Sequence, residues 1–141
     1  MKYVLDSSVA LKWVLPEADS GKAIRLRDEY SNGLHELLAP DIFPSELANG
    51  LASAERQKRM RSDESAIFLN DILSAAPALH HSSQLLIRAM EIAISTKQAV
   101  YDCLYLALAE AEACELVTAD DQFAGGLRTS YPFIVSLAAL P

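Results

Sequence analysis

Short apolar runs alternate with longer stretches of helical periodicity along this chain. The runs at residues 3–5, 37–39, 116–118 and 133–135 are too short for helices, and their side chains are typical of buried strands. Residues 78–81 form a weaker strand candidate. Because strands that alternate with helices form parallel sheets covered by those helices, the pattern predicts an α/β fold with a small, mostly parallel central sheet.

The stretches between these runs are bounded by capping residues and prolines. We expect helices from residue 7 or 8 to residue 15, over residues 21–30, from about residue 44 to the basic residues 56–61, from residue 62 or 63 to residue 76, from residue 82 or 83 through residue 93, and over residues 96–115. Residues 123–126 are expected to form a turn or a short helix. The two helices beside the basic residues are expected to form a helical hairpin that protrudes from the sheet.

Two aspartates directly follow predicted strands. Asp6 ends the first strand and is followed by Ser7 and Ser8, which suit the start of a helix. Asp120 follows the strand at residues 116–118 in the same way. Ligands of open α/β sheets bind at the carboxyl edge of the strands, so both side chains are candidate ligands. The structural interpretation is that Asp6 merely caps its helix, which is the more frequent role for an aspartate at such a turn.

Two further carboxylates begin helices that follow strands. Glu46 lies in the first turn of the helix that starts near Pro44. A glutamate there also stabilises the positive end of its own helix, and this is the simpler interpretation. Asp102 is the only charge near the start of an alanine-rich helix and is a poor helix former. Both side chains are therefore expected to reach the edge of the sheet where Asp6 and Asp120 lie.

Four carboxylates at one edge repel one another and would be partly protonated without a neutralising cation. Oxygen ligands select hard cations, so Mg²⁺ or Mn²⁺ is the expected cofactor. Such an ion binds a phosphodiester oxygen and generates hydroxide from water, and a second ion stabilises the leaving oxygen. The pattern therefore predicts hydrolysis of phosphodiester bonds with Asp6, Glu46, Asp102 and Asp120 as metal ligands and catalytic residues.

The composition narrows the possible partners. The chain has 141 residues with a net charge of −7, and we expect a single domain over residues 1–141. This charge argues against tight binding of nucleic acid by general attraction. A local basic cluster is nevertheless present: Arg56, Lys58, Arg59 and Arg61. These cations either stabilise a helix C-terminus or contact RNA phosphates.

The cysteines and the lack of recognisable targeting segments predict the cellular location of the protein. Cys103 and Cys114 are predicted to lie in one helix, roughly 16 Å apart at a rise of 1.5 Å per residue, which is too far for a disulfide. Free thiols are typical of a reducing cytoplasm. No stretch has the features of a secretory signal or the length of a membrane span, so we expect no membrane contact.

Four motifs in this order resemble a known family over nearly the whole chain. The segments are LDSSVALKW, PSELANGL, AVYDCLYLALAEA and LVTADDQF, and they are similar to those of the PIN-domain ribonucleases, in particular the VapC-type toxins of toxin–antitoxin pairs. The resemblance implies Asp6, Glu46 and Asp102 as metal ligands and Asp120 as the fourth acidic residue. It also implies that Ser8 forms a hydrogen bond to a ligand or a metal-bound water.

The resemblance further implies a PIN-like fold, an RNA substrate, a homodimer and a cognate antitoxin that binds along the helical hairpin toward the acidic pocket. Asp121 is adjacent to Asp120 and shares or replaces its role in this interpretation. Lys12 lies one helical turn from Ser8 and either faces substrate or is simply solvated.

Two other functions remain open from the sequence. One is a catalytically silent PIN-like module that binds protein or RNA; all four acidic positions are present, which favours the enzyme. The other is an aspartate-phosphorylated enzyme or receiver domain. A phosphatase of that type carries a second aspartate two residues after the first, and Ser8 occupies that position.

Overall fold

The computed structural model describes residues 1–141 and contains one five-stranded sheet of order β3-β2-β1-β4-β5. All four pairings are parallel, which confirms the predicted α/β class. The strands are Lys2–Leu5 (β1), Glu36–Pro40 (β2), Ala78–His80 (β3), Glu115–Thr118 (β4) and Ile134–Ser136 (β5). The central position of β1 places its carboxyl end, and therefore Asp6, in the middle of the sheet edge.

The chain also contains seven α-helices. They are Ser7–Leu11 (α1), Ser20–Ser31 (α2), Phe43–Arg56 (α3), Ser65–Leu73 (α4), Leu86–Thr96 (α5), Val100–Ala111 (α6) and Asp121–Leu127 (α7), with 3₁₀ turns at Ser82–Gln84 and Leu137–Ala139. Helix α6 packs on β1, β2 and β4, and α5 covers its other side. Every residue of α6 from Cys103 through Ala109 is buried for this reason.

The predicted helical hairpin is present. Helix α3 buries the stripe Leu47, Leu51 and Ala54, as its spacing predicts. Helix α4 packs mainly against α3 and fully buries only Ile72. The hairpin therefore stands at the side of the sheet with most of α4 toward solvent. No helix of the structure is long and apolar enough to cross a membrane.

The predicted boundaries of four helices are wrong. Helix α5 begins at Leu86, after a 3₁₀ turn, instead of at residue 82 or 83, and α6 begins at Val100 instead of residue 96. Helix α1 ends at Leu11 instead of residue 15, because Trp13 turns inward and its indole N–H donates to the Ala23 carbonyl at 2.9 Å. Helix α4 spans only Ser65–Leu73. Helix α6 ends at Ala111 and the chain turns at Ala113 with a φ of 51°, so Cys114 lies outside the helix that carries Cys103. Both cysteines are free.

Candidate active site

The structure brings the four predicted carboxylates to the carboxyl edge of the sheet. Asp6 follows β1, and Asp120 lies two residues beyond the end of the neighbouring strand β4. Glu46 lies in the first turn of α3 and Asp102 in the first turn of α6. The charges of these groups interact. The charge of Asp6 raises the pKa of Glu46 and of Asp102, and the charge of Asp120 raises the pKa of Asp6.

Asp6 is held by two hydroxyl groups. Ser8 Oγ donates to Asp6 Oδ2 at 2.7 Å and Thr118 Oγ1 donates to the same oxygen at 2.8 Å. Each hydroxyl also accepts a backbone N–H of the β4–α7 connection at 3.0 Å, Ser8 from Ala119 and Thr118 from Asp120. These bonds join β1 to β4 at their carboxyl ends and fix the orientation of the Asp6 carboxylate.

Glu46 is held by a buried tyrosine. Tyr105, which is 1% exposed on α6, donates its hydroxyl to Glu46 Oε1 at 2.6 Å. Ser7 Oγ donates to the same oxygen at a longer distance of 3.5 Å. Because both bonds use Oε1, the second carboxylate oxygen Oε2 is left for another ligand. Glu46 therefore does more than stabilise the start of α3.

Asp102 and Asp120 are the less constrained members of the set. Asp120 Oδ1 accepts the Phe123 N–H at 3.0 Å and so caps α7. Asp102 is partly buried and accepts no hydrogen bond from the protein. A half-buried carboxylate without a partner, beside other carboxylates, is unfavourable unless a ligand neutralises it.

Burial and mutual repulsion make the site favour a bound cation. Burial raises the pKa of Asp6, and the nearby Asp120 adds to the rise, although hydrogen bonds from Ser8 and Thr118 counteract it. Burial likewise raises the pKa of Glu46 and Asp102, with further contributions from the charge of Asp6. A cation placed among these groups restores their ionised forms.

The donor set fits a hydrated divalent cation and does not form a closed cage. No group of three or more His, Cys, Asp or Glu side chains is arranged closely enough to hold a metal ion by itself. Mg²⁺ usually keeps several waters and binds only one or two carboxylates directly. The four carboxylates at this edge are suited to that type of coordination.

Two cavities flank the carboxylates. One, of about 440 Å³, lies between α3 and α6 and includes Glu46 in its wall. The other, of about 270 Å³, is formed by Gln98, Asp102, Asp120, Gln122 and Phe123. Glu46 is therefore accessible from the larger cavity, and Asp102 and Asp120 are accessible from the smaller one.

The supporting residues predicted from sequence have different positions. Ser8 contacts Asp6, as described above. Asp121 points elsewhere: its Oδ1 accepts the Ser136 hydroxyl at 2.8 Å, whereas Asp120 lines the smaller cavity. The Lys12 amino group lies 3.4 Å from Glu17 and pairs with that residue, not with the four carboxylates.

The basic cluster lies away from the carboxylates. Arg56 is ten residues beyond Glu46 on α3, which corresponds to roughly 15 Å along the helix axis. Arg59 pairs with Glu17, and Arg61 pairs with Asp63 at 3.7 Å. Arg56 and Lys58 are exposed and form no ion pair. Any contact of this cluster with RNA would therefore be remote from the site of chemistry.

Sequence reasoning missed three residues at the site. Thr118 is two residues before Asp120, and a polar side chain at the end of a buried strand is a signal that could have identified it. Tyr105 follows Asp102 by three residues and therefore shares its helix face. Tyr101 lines the larger cavity beside Glu46. The position of Tyr101 next to Asp102 in the sequence does not predict the direction of the Tyr101 side chain.

Comparisons with known proteins agree with this architecture. A family model described as the PIN domain matches residues 3–125. The chain is 33% identical over 126 residues to Ribonuclease VapC3 from Pyrobaculum aerophilum, covering 88% of this chain and 93% of that protein.

Solved structures share the fold at lower sequence identity. The crystal structure of PAE2754 from Pyrobaculum aerophilum has a TM-score of 0.71 at 20% identity, covering 98% of this chain and 85% of that one. A toxin–antitoxin complex from Klebsiella pneumoniae has a TM-score of 0.63 at 16% identity, covering 96% and 97% of the two chains. VapBC2 from Rickettsia felis, bound to a DNA fragment from its promoter, has a TM-score of 0.58 at 16% identity with the same coverage. The chain therefore belongs to the PIN-domain family, among its VapC-type members.

Proposed function

We propose that this protein is an endoribonuclease toxin that depends on Mg²⁺ or Mn²⁺ and is neutralised by a cognate antitoxin. The observation that carries the proposal is the set of four carboxylates at one sheet edge, three of which have a raised pKa because of burial and nearby charge. The relative at 33% identity is a ribonuclease by name. Together these features support hydrolysis of RNA phosphodiester bonds.

The roles of the residues follow from their contacts. Asp6, Glu46, Asp102 and Asp120 would hold the divalent cation, directly or through its waters. When bound, the ion would supply an activated water and would stabilise the charge on the phosphate oxygens. Ser8 and Thr118 hold the Asp6 carboxylate, and Tyr105 holds that of Glu46. No serine–histidine or cysteine–histidine pair lies at the site, so no protein nucleophile is available, and the proposed attacking group is a water activated by the cation and not the 2′-hydroxyl of the RNA.

A cleavage assay on structured and unstructured RNAs tests this function. We expect cleavage in Mg²⁺ or Mn²⁺, loss of cleavage in EDTA, and recovery when the ion is restored. Attack by water leaves products without a 2′,3′-cyclic phosphate, which end-group mapping detects. Cleavage that persists in EDTA, or cyclic phosphate ends, would contradict the proposed mechanism.

The second candidate is a PIN-like binding module without chemistry. It is favoured by one observation, that no three metal-ligating side chains are arranged to hold an ion by themselves. Calorimetry separates the two: this candidate requires that Mn²⁺ does not bind at millimolar concentration and that no RNA is cleaved, whereas the nuclease binds the ion.

We place the antitoxin along the hairpin of α3 and α4. A cavity of about 380 Å³ between these helices has a mainly apolar wall, formed by Ala48, Leu51, Ala52, Glu55, Arg56, Ser65, Ala66 and Leu69. The similar structures from Klebsiella pneumoniae and Rickettsia felis are a toxin–antitoxin complex and VapBC2 bound to promoter DNA. An apolar helix of the antitoxin fits a groove of this kind.

We further propose that the chain acts as a single domain over residues 1–141 and forms a homodimer through α5. One hydrophobic cluster of 32 buried residues runs through the chain. On α5, Ile87 and Ile94 are each 75% exposed and Met90 is 50% exposed, and their spacing of three and four residues forms one stripe. Sedimentation analysis of Ile94→Asp tests this interface, and a shift from dimer to monomer is the expected result.

A further inference from the structure

Tyr101 is unusually exposed for an aromatic side chain beside a buried site. It lies in the first turn of α6 and is 65% exposed, whereas Tyr105, one helical turn later, is 1% exposed. Tyr105 donates to Glu46, but the Tyr101 hydroxyl makes no hydrogen bond with the protein. The ring of Tyr101 therefore contributes little to the fold and is free to contact a ligand.

The cavity beside Tyr101 includes one of the four carboxylates, Glu46, in its wall. It has a volume of about 440 Å³ and a wall formed by Ser7, Ile42, Ser45, Glu46, Asn49, Gly50 and Tyr101. This volume falls in the range of pockets that hold small organic groups. Gly50 is explained by packing, because a Cβ there would lie 2.7 Å from the side chain of Leu11. Tyr101, Ser45 and Asn49 are the members of the wall that packing leaves unexplained.

We propose that Tyr101 is the stacking platform for one unpaired base of the RNA substrate, next to the scissile phosphate. The inference rests on the proposed ribonuclease function and adds the residue that positions the nucleotide beside the cut. The hydroxyl of Ser45 and the amide of Asn49 lie on the neighbouring helix α3 and supply hydrogen bonds to the edge of that base.

Charge explains why the site needs such a platform. The chain has a net charge of −7 and its basic cluster is remote from the carboxylates, so general attraction of the RNA backbone is weak here. Stacking on an aromatic side chain is independent of that attraction and contributes about 1–3 kcal/mol per base. It also positions the nucleotide beside the cation that would bind its phosphate.

The two cavities differ in a way that orients the substrate. The smaller one carries the amides of Gln98 and Gln122, and its only aromatic member, Phe123, is 8% exposed. Amides suit the sugar and phosphate groups, whereas the exposed ring of Tyr101 suits a base. The base on the Tyr101 side of the cut is therefore the one recognised.

Steady-state cleavage of single-stranded RNA in Mg²⁺ tests the inference with Tyr101→Ala, Tyr101→Phe and the control Leu34→Ala. Leu34 is 62% exposed and lines none of the cavities. We expect Tyr101→Ala to lower kcat/KM by about 5- to 150-fold, mainly through KM, as loss of one stacked base predicts. Tyr101→Phe keeps the ring and should remain close to the unmodified protein. Circular dichroism checks that each variant is folded.

Substrates with a single abasic nucleotide at each position provide an independent readout. The unmodified protein should cleave poorly when the base beside the cut is missing, and Tyr101→Ala should be insensitive to that omission. Equal KM values for Tyr101→Ala and the unmodified protein would overturn the inference and leave the ribonuclease function intact. A loss in Tyr101→Phe equal to that in Tyr101→Ala would also overturn it. Absence of cleavage by the unmodified protein would overturn both proposals.

Discussion

Asp6 and Asp41 follow neighbouring strands of the same sheet but differ in their surroundings. Asp6 follows β1 and is partly buried beside Asp120, and burial raises its pKa. Asp41 follows β2, is exposed, and accepts a hydrogen bond from Ser82 that lowers its pKa. His81 lies 3.7 Å from Asp41 and supports its charge when protonated.

The difference shows that a position at the carboxyl end of a strand does not by itself create a site. Asp41 has local partners that satisfy its charge, so it has no need of a cation. Asp6 has hydroxyl partners but also three neighbouring carboxylates and no cationic partner, so a bound cation would favour its ionised form. Burial together with like charge therefore distinguishes the candidate active site from an ordinary loop aspartate.

The largest expected effect is the difference in activity between the variants Asp6→Asn and Asp41→Asn. Asp6→Asn removes a charge that would bind the cation, and we expect RNA cleavage to fall by more than about 100-fold, since even loss of groups that only orient metal ligands costs 10- to 100-fold. Asp41→Asn is the matched control and should retain its activity. Initial rates in Mg²⁺ measure both. Equal rates for the two variants would remove the distinction between the two regions.

Removal of a hydroxyl group that orients Asp6 should have a smaller effect on the site. Thr118→Val keeps the size of a fully buried side chain but removes the bond to Asp6 Oδ2 and the acceptor for the Asp120 N–H. We expect metal affinity to fall by about 10- to 100-fold and unfolding free energy to fall by about 1–3 kcal/mol. Mn²⁺ titration and urea unfolding measure these quantities. Unchanged Mn²⁺ affinity would show that Thr118 has a structural role alone.

The opposite pKa shifts predict opposite pH dependences for the metal-free protein. The folded-state pKa values of Asp6, Glu46 and Asp102 are raised, so their contribution to stability is complete below the unfolded values of about 4 and is lost as the pH rises through the folded values. The pKa of Asp41 is lowered. Its contribution is present above its unfolded value and is lost as the pH falls through the folded one.

Unfolding by urea in EDTA between pH 4 and pH 7 measures this difference. Asp102→Asn removes a partly buried carboxylate without a hydrogen bond, and we expect it to stabilise the metal-free protein at pH 7 by about 0.5–2 kcal/mol and to flatten the pH dependence. Asp41→Asn should instead lower the stability by a nearly constant amount across this range, because the contribution of Asp41 is already complete above its unfolded pKa. A destabilised Asp102→Asn variant in EDTA would contradict the account of the site.

The smallest expected effect concerns the basic cluster. Arg56 and Lys58 have no acidic partner, so the double variant Arg56→Ala/Lys58→Ala tests for phosphate contacts with the fewest lost ion pairs. If both side chains contact phosphates, the slope of log affinity against log salt should decrease in magnitude by about 1–2. An unchanged salt slope would assign the cluster to the end of α3 alone. The rate constant of the chemical step should be unchanged in the double variant in either outcome.

The sequence was sufficient to predict the strands of the sheet and the location of the four carboxylates at one edge of it. The four apolar runs coincide with β1, β2, β4 and β5, and the weaker candidate coincides with β3. The runs are clear in β1, β2 and β4 because these strands are buried and leave few polar positions. Asp6 and Asp120 were identified by their positions after strands. Asp102 was identified because an isolated charge in an apolar helix is unfavourable without a reason.

Other features depend on contacts between distant parts of the chain. The bond from Tyr105 to Glu46 joins residues 59 positions apart, and that from Thr118 to Asp6 joins residues 112 apart. Helix α1 ends early because Trp13 bonds to Ala23 on α2. Periodicity describes one element at a time, so it predicts the face of a helix but not the side chain that the face meets.

Calorimetric titration of the metal-free protein with Mn²⁺ at pH 7 tests the central claim most directly. The account predicts saturable binding to the unmodified protein and to Asp41→Asn, and strongly weakened binding to Asp6→Asn and Asp102→Asn. A lack of binding by the unmodified protein at millimolar Mn²⁺, or equal binding by all four proteins, would contradict the assignment of a divalent cation to this edge of the sheet.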